Sequence, residues 1–152
     1  WQYISWAKSV DGVGDAKCLP LWNGAGTVKV IIVDSEKQLA GSELINKVQS
    51  YIDEQCPIGA DVTVTTATAV SINVTFSADV DESTIESIKS NIRSYLRDVS
   101  FANGYVSYAK IGQTILNTDG VDDYSNLKIN SKTENIAISE TEIAVLGGVA
   151  VG

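Results

Sequence analysis

The chain has 152 residues, 44% hydrophobic and 20% charged, which is typical of a soluble globular protein with one domain or two very small ones. Its formal net charge of −8 repels phosphate backbones and anionic lipids, so we expect neither nucleic acid nor a membrane as a partner. Histidine is absent, which excludes Ser-His-Asp and Cys-His catalysis and most zinc sites.

The start of the chain, Trp1-Gln-Tyr-Ile-Ser-Trp6, lacks the basic and then apolar pattern of a signal peptide. The chain also contains no Met. We therefore interpret it as a piece of a longer protein that is not exported by a signal peptide. Apolar residues up to Val10 predict the end of a helix, and the two glycines within Asp11–Asp15 end it.

The first half predicts the element order β–β–α–β. We expect an edge strand over Ala16–Trp22, because Pro20 cannot donate a hydrogen bond to a neighbouring strand. Thr27–Asp34 holds five β-branched apolar residues in eight and is the strongest candidate for a buried strand. A helical apolar stripe follows over residues 42–54, with Ser42 as the expected cap and Pro57 to Gly59 as its end.

The segment from Val62 to Val80 is the centre of the predicted organisation. Apolar and polar residues alternate along it, which indicates strand with one buried face. The middle, Thr66–Ala69, contains no large apolar side chain. We predict strands on either side of it, in two adjoining sheets or at two ends of one bent sheet, and divide the chain there into halves of residues 1–69 and 70–152.

The second half predicts the order β–α–α–β–β. Ser83–Glu86 matches a capping box and opens a helix that Asn103–Gly104 should end, and Ser107 should cap a shorter second helix. A hairpin turn is expected at Ser131–Glu134, and the predicted strands lie around residues 127–130, 136–139 and 143–151. The two halves together predict an α+β fold of two small split βαβ, ferredoxin-like units, with helices packed on mixed or antiparallel sheets.

A five-residue pattern, D-G-V-x-D, occurs at Asp11–Asp15 and again at Asp119–Asp123. Each copy follows a predicted helix and precedes a predicted strand. We expect the glycine to supply a positive φ after the helix. Duplication is one explanation of the repeat and chance is the other.

The acidic residues do not form a recognisable site. Asp119, Asp122 and Asp123 depart from calcium-loop spacing because Val121 occupies a ligand position, so turn acids are the better interpretation. Acidic pairs such as Asp53-Glu54 are adjacent, so their side chains diverge. We expect no enzyme activity, no metal and no cofactor.

Two cysteines and three tryptophans have open alternatives. Cys18 and Cys56 are either a disulfide or two buried reduced thiols. Trp1, Trp6 and Trp22 either dock a partner or a sugar, or pack in the core or against the rest of a longer chain.

Two motifs resemble the C-terminal part of the baseplate J-like family of contractile-tailed phages. They are Leu21–Val30, with Trp-Asn-Gly-Ala-Gly, and Pro57–Val64, which starts Pro-Ile-Gly-Ala-Asp. The Gly12-Val13 turn and the ending Glu142–Val149 are also similar to the family pattern. Ala25 is a departure, since the family pattern has Pro there.

The resemblance implies a structural protein without catalytic residues. Members link neighbouring baseplate wedges around the tail hub, assemble in the host bacterial cytoplasm and persist in the virion, a prophage or a tail-like bacteriocin. The implied partners are other baseplate proteins and copies of the protein itself. The alternative is a tail-associated module that binds a receptor or a carbohydrate through Trp22 or Trp6.

Overall fold

A computed structural model describes residues 2–20, 22–56, 60–101 and 104–152. Its helices are α1 (Gln2–Lys8), α2 (Ser42–Gln55), α3 (Glu82–Val99) and α4 (Tyr108–Leu116). Its strands are β1 (Val13–Pro20), β2 (Thr27–Asp34), β3 (Asp61–Thr66), β4 (Thr68–Ser77), β5 (Tyr105–Val106), β6 (Ser125–Ile129), β7 (Ile136–Ala137) and β8 (Glu142–Val151). The α+β class predicted from the sequence is confirmed.

The chain divides into two compact units, residues 1–68 and 69–152. The first contains the sheet β1-β2-β3, in which β2 is antiparallel to β1 and parallel to β3. A parallel pair needs a crossover connection, and α2 supplies it. β1 is an edge strand, as Pro20 predicted. The core between the helices and the sheet includes Val30, Ile32, Val48 and Ile52, all fully buried.

The second unit contains the sheet β6-β4-β8, with β6 antiparallel to the central β4. The Gly152 N–H donates to the Phe76 carbonyl (3.0 Å), and Gly147 lies beside Ser71, so β8 runs parallel to β4. Helix α3 packs against β8 and against α4. The fully buried core residues include Ile72, Ile88, Ile92, Ile111, Ile115 and Ile129.

The alternating segment is two strands of two different sheets. β3 ends at Thr66 and β4 begins at Thr68, so the predicted break is confirmed. Ala67 between them is 1% exposed, and its N–H donates to the Ile32 carbonyl (3.2 Å). The Thr66 hydroxyl accepts from the Ala40 N–H (2.8 Å). Within this segment Ala67 is buried, whereas Thr68 and Ala69 are exposed.

Two of the three predicted helix caps are wrong. The cap of α2 is Gly41, which provides no side-chain bond, and Ser42 is the first helical residue. The cap of α3 is Asp81, whose carboxylate accepts from the Thr84 N–H (2.8 Å). Ser83 instead donates its hydroxyl to Asp81 (2.9 Å), because Asp81 precedes it in the first turn. Ser107 does cap α4, accepting from the Lys110 N–H (3.2 Å).

Several predicted boundaries also move. Helix α3 ends at Val99, before the expected Asn103, and Phe101 adopts a φ of +62°. The hairpin turn lies at Asn130–Ser131, both with positive φ, and not at Ser131–Glu134. Leu21 and Asn103 lie outside the described residues, as does the predicted end of α2 at residues 57–59.

Candidate functional site

Trp22 lies on the surface of the loop between β1 and β2, with 44% of its area exposed. The Lys29 ammonium lies 4.9 Å from the centroid of the indole ring, within the range of a cation–π contact. One part of the ring is therefore in contact with a cation, and much of the rest is accessible. The sequence prediction named Trp22 and did not name Lys29. The signal for Lys29 is its place early in β2, close in sequence to the turn that carries Trp22.

The loop that carries Trp22 is held by local hydrogen bonds. The Thr27 hydroxyl donates to the Gly24 carbonyl (2.7 Å) and accepts from the Asn23 N–H (3.1 Å). Gly24 and Gly26 both have positive φ, at 103° and 78°. The turn thus adopts, at two positions, a backbone conformation that favours glycine.

Trp6 has a different environment from Trp22. It is half-buried against the core of the first unit and contacts Tyr3 edge to face, with ring centroids 5.5 Å apart. This arrangement is a core-packing contact. Trp1 lies outside the described residues. The expectation that these tryptophans dock a partner stays a prediction. Trp22 is more exposed than Trp6 and is therefore more accessible to a partner.

The two cysteines are free thiols, each partly buried. Burial raises the pKa of Cys18 and of Cys56, and a hydrogen bond with the Tyr3 hydroxyl opposes this increase at Cys56. A raised pKa keeps a thiol protonated near neutral pH, whereas a nucleophilic cysteine needs a lowered one. The two thiols therefore have the properties of packing residues.

The D-G-V-x-D repeat forms the same turn twice. The Val13 N–H donates to the Val10 carbonyl and the Val121 N–H to the Thr118 carbonyl, both at 3.2 Å. The intervening glycines, Gly12 and Gly120, have φ values of 100° and 97°. The predicted positive φ is confirmed in both copies.

The last aspartate of each copy also has the same role. Asp15 accepts from the N–H of Ala16, and Asp123 accepts from the N–H of Tyr124, both at 2.8 Å. These carboxylates stabilise the backbone where the chain leaves the turn. Within the described ranges, no group of three or more His, Cys, Asp or Glu residues is arranged to hold a metal ion.

Other large apolar side chains are exposed besides Trp22. Leu39, Tyr105 and Leu116 each have more than 40% of their area accessible. No helix among the described residues is long and apolar enough to cross a membrane. Each of the two units thus exposes large apolar side chains.

Comparisons with known proteins match nearly the whole chain to one family. The model described as the baseplate J-like central domain matches residues 1–66, and the model of the baseplate J-like protein C-terminal domain matches residues 68–152. The phage-like element PBSX protein XkdT of Bacillus subtilis (strain 168) is 38% identical over 98% of this chain. The baseplate protein gp47 of Escherichia phage Mu is 24% identical over 98% of this chain.

The chain spans less than half the length of these relatives, 46% of XkdT and 44% of gp47. Its fold also resembles a chain in the baseplate of the anti-feeding prophage, determined by cryo-electron microscopy with six-fold symmetry. That match has a TM-score of 0.73 and 7% identity, and covers 95% of this chain and 36% of the other. The similarity supports the α+β architecture.

Proposed function

We propose that this chain, which belongs to the baseplate J-like family, is a structural component of a phage or prophage baseplate. The observation that supports this most strongly is the tandem match of two baseplate domains across both units. We further propose that it links neighbouring wedges around the tail hub, through contacts with other baseplate proteins and with copies of itself. Assembly in the cytoplasm of the host bacterium is part of the same proposal.

The side chains described above favour such contacts over catalysis. Asp15 and Asp123 accept backbone hydrogen bonds in turns, and the two thiols have raised pKa values. Exposed aromatic side chains such as Trp22 and Tyr105 are the residue type that anchors protein interfaces. We therefore propose a non-enzymatic role.

Particle analysis of the producing bacterium tests the proposal. We expect the full-length protein to be present in purified tails, at the baseplate end in cryo-electron microscopy maps. Deleting its gene should leave tails without baseplates, and a plasmid copy should restore them. Intact, contractile particles from the deletion strain would contradict the structural role.

The exposed indole of Trp22 supports a second candidate, a receptor- or carbohydrate-binding module. Aromatic faces stack on sugar rings, and the Lys29 ammonium leaves part of the indole accessible. In this case Trp22→Ala should abolish binding on a glycan array, whereas Tyr105→Ala, at another exposed aromatic, should not. Absence of any glycan signal from the wild-type chain would eliminate this candidate.

A further inference from the structure

The outer edge of β3 has a sequence that favours pairing with another strand. β3 is an outermost strand of the sheet β1-β2-β3, on the side away from β1. After Asp61 it consists only of valine and threonine, two residue types that favour strands. Open edges pair readily with strands of other chains, so proteins usually protect them with charge, proline, a bulge or a covering group.

The backbone groups of β3 point alternately to β2 and to the outer edge. The Asp61 N–H donates to the carbonyl of Gly26, directly before β2 (3.0 Å), so the odd-numbered residues bond on the β2 side. Because these directions alternate along a strand, Val62 and Val64 turn their N–H and C=O groups to the outer edge. This edge therefore needs other hydrogen-bond partners.

The side chain of Gln49, on α2, supplies such partners. Its amide nitrogen donates to the Val62 carbonyl (2.9 Å), and its amide oxygen accepts from the Val64 N–H (2.8 Å). In a parallel pair of strands, one residue donates to a carbonyl of its neighbour and accepts from the N–H two residues further on. The Gln49 side chain thus makes the two hydrogen bonds that a residue of an added parallel strand would make.

A carboxylate on the same face of α2 orients the amide of Gln49. Oδ1 of Asp53, one helical turn further on, accepts from Nε2 of Gln49 (2.9 Å). Nε2 has two N–H donors, and Asp53 and the Val62 carbonyl use both of them. The reversed amide would place its oxygen against a carboxylate and a carbonyl, so one orientation is strongly favoured. Gln49 is therefore held ready at the edge by its own helix.

The opposite edge of the same sheet is protected in a different way. β1 carries Asp15 and Lys17, ends in Pro20, and has a register shift next to Asp15. β3 contains neither charge nor proline after Asp61. The protection of β3 therefore depends on the side chain that covers it.

We propose that Gln49 closes the outer edge of β3, so that the first unit does not accept a further strand there. This closure is a property of the first unit itself and does not depend on the proposed baseplate role. It also defines how partners contact this part of the unit, which is through side chains and not by adding a strand to β3.

The variant Gln49→Met tests this inference, because methionine has nearly the length of glutamine but lacks the amide donor and acceptor. The matched control is Gln113→Met, at an exposed position on α4. Circular dichroism checks that both variants fold. Amide exchange resolved by NMR reports on the edge of β3. Sedimentation reports association in about 1 M salt, where the net charge of −8 is screened beyond about 3 Å.

In the unmodified chain, we expect the Val64 amide to be protected from exchange although it faces away from β2. Gln49→Met should make this amide exchange about tenfold faster. In high salt the same variant should form larger species, in which the protection of Val64 returns, whereas Gln113→Met should behave like the unmodified chain.

Three results would each overturn the inference. They are an unprotected Val64 amide in the unmodified chain, an unchanged exchange rate of this amide in Gln49→Met, and a Gln49→Met chain that stays the size of the unmodified chain in high salt. The first result requires no substitution, so it decides the question even where Gln49→Met does not fold.

Discussion

The protonation of Asp81 is directly connected to local structure at the start of α3. Its carboxylate accepts from the Thr84 N–H (2.8 Å) and the Ser83 hydroxyl (2.9 Å) at the start of α3. These bonds, with Thr84 first, lower its pKa. A pKa lowered by folding gives stability that is present above the unfolded value, about 3.9, and is lost as pH falls through the folded value.

Asp81→Asn should therefore make the acid side of the stability profile shallower. Asparagine is also a good helix cap, so stability near neutral pH should change little. Urea unfolding midpoints measured from neutral to acidic pH test this, with Asp122→Asn as a control at an exposed turn aspartate. An unchanged acid profile in Asp81→Asn would show that this cap does not contribute to the pH dependence.

Prediction of individual cap residues from the sequence succeeded where only one residue could cap the helix. Ser107 was identified as a cap because it directly precedes the helical stripe of α4. At α3, Asp81 and Ser83 both lie near the first turn, and a local motif cannot decide between them. The choice depends on where the helix begins, and α3 begins at Glu82, directly after Asp81 and one residue before Ser83.

At the level of elements, two turn glycines with positive φ give a testable contrast. Gly120 has a φ of 97°, and a Cβ atom added there would lie 2.8 Å from the Thr84 hydroxyl. Gly24 has a φ of 103° but no atom within 4 Å of such a Cβ. Alanine at Gly24 meets only backbone strain, whereas alanine at Gly120 meets strain and a steric clash.

Gly24→Ala should cost about 1 kcal/mol of unfolding free energy and Gly120→Ala clearly more, about 2–3 kcal/mol. The second change Thr84→Ala, made in the Gly120→Ala background, should recover part of the additional loss. Chemical denaturation of the unmodified chain, Gly120→Ala, Thr84→Ala and the double variant measures this coupling. Additive effects of the Gly120 and Thr84 changes would exclude the clash.

Element prediction was most accurate where a long run had a distinctive composition. Thr27–Asp34 was predicted with its exact bounds, since a run of β-branched residues on a central strand is distinctive. β5 was missed because a two-residue strand has no period to detect, whereas β7 begins where the strand around residues 136–139 was predicted and ends two residues earlier. The shift of alternation at Gly147–Gly148 in β8 was also missed, since a glycine pair carries no side-chain signal.

At the level of the whole molecule, the two units share an arrangement. Each has a three-stranded sheet whose central strand has one antiparallel and one parallel neighbour. In each, a D-G-V-x-D turn connects a helix to the antiparallel edge strand, which favours duplication over chance. Sequence could indicate this repeat and the surface tryptophan. It could not show that β8 is an edge strand of its sheet, because strand order depends on contacts distant in sequence.

We propose that residues 1–69 and 70–152 fold as separate domains, and core substitutions can test this. Ile52 and Ile92 are both 0% exposed, one in each unit. Ile52→Ala and Ile92→Ala should each cost about 2–5 kcal/mol of unfolding free energy. If the halves unfold separately, calorimetry should show two transitions, with each variant lowering only its own. Hydrogen exchange of β2 and β4 amides identifies which unit each transition represents. One cooperative transition, lowered equally by both variants, would mean that the halves form a single folding unit despite their separate cores.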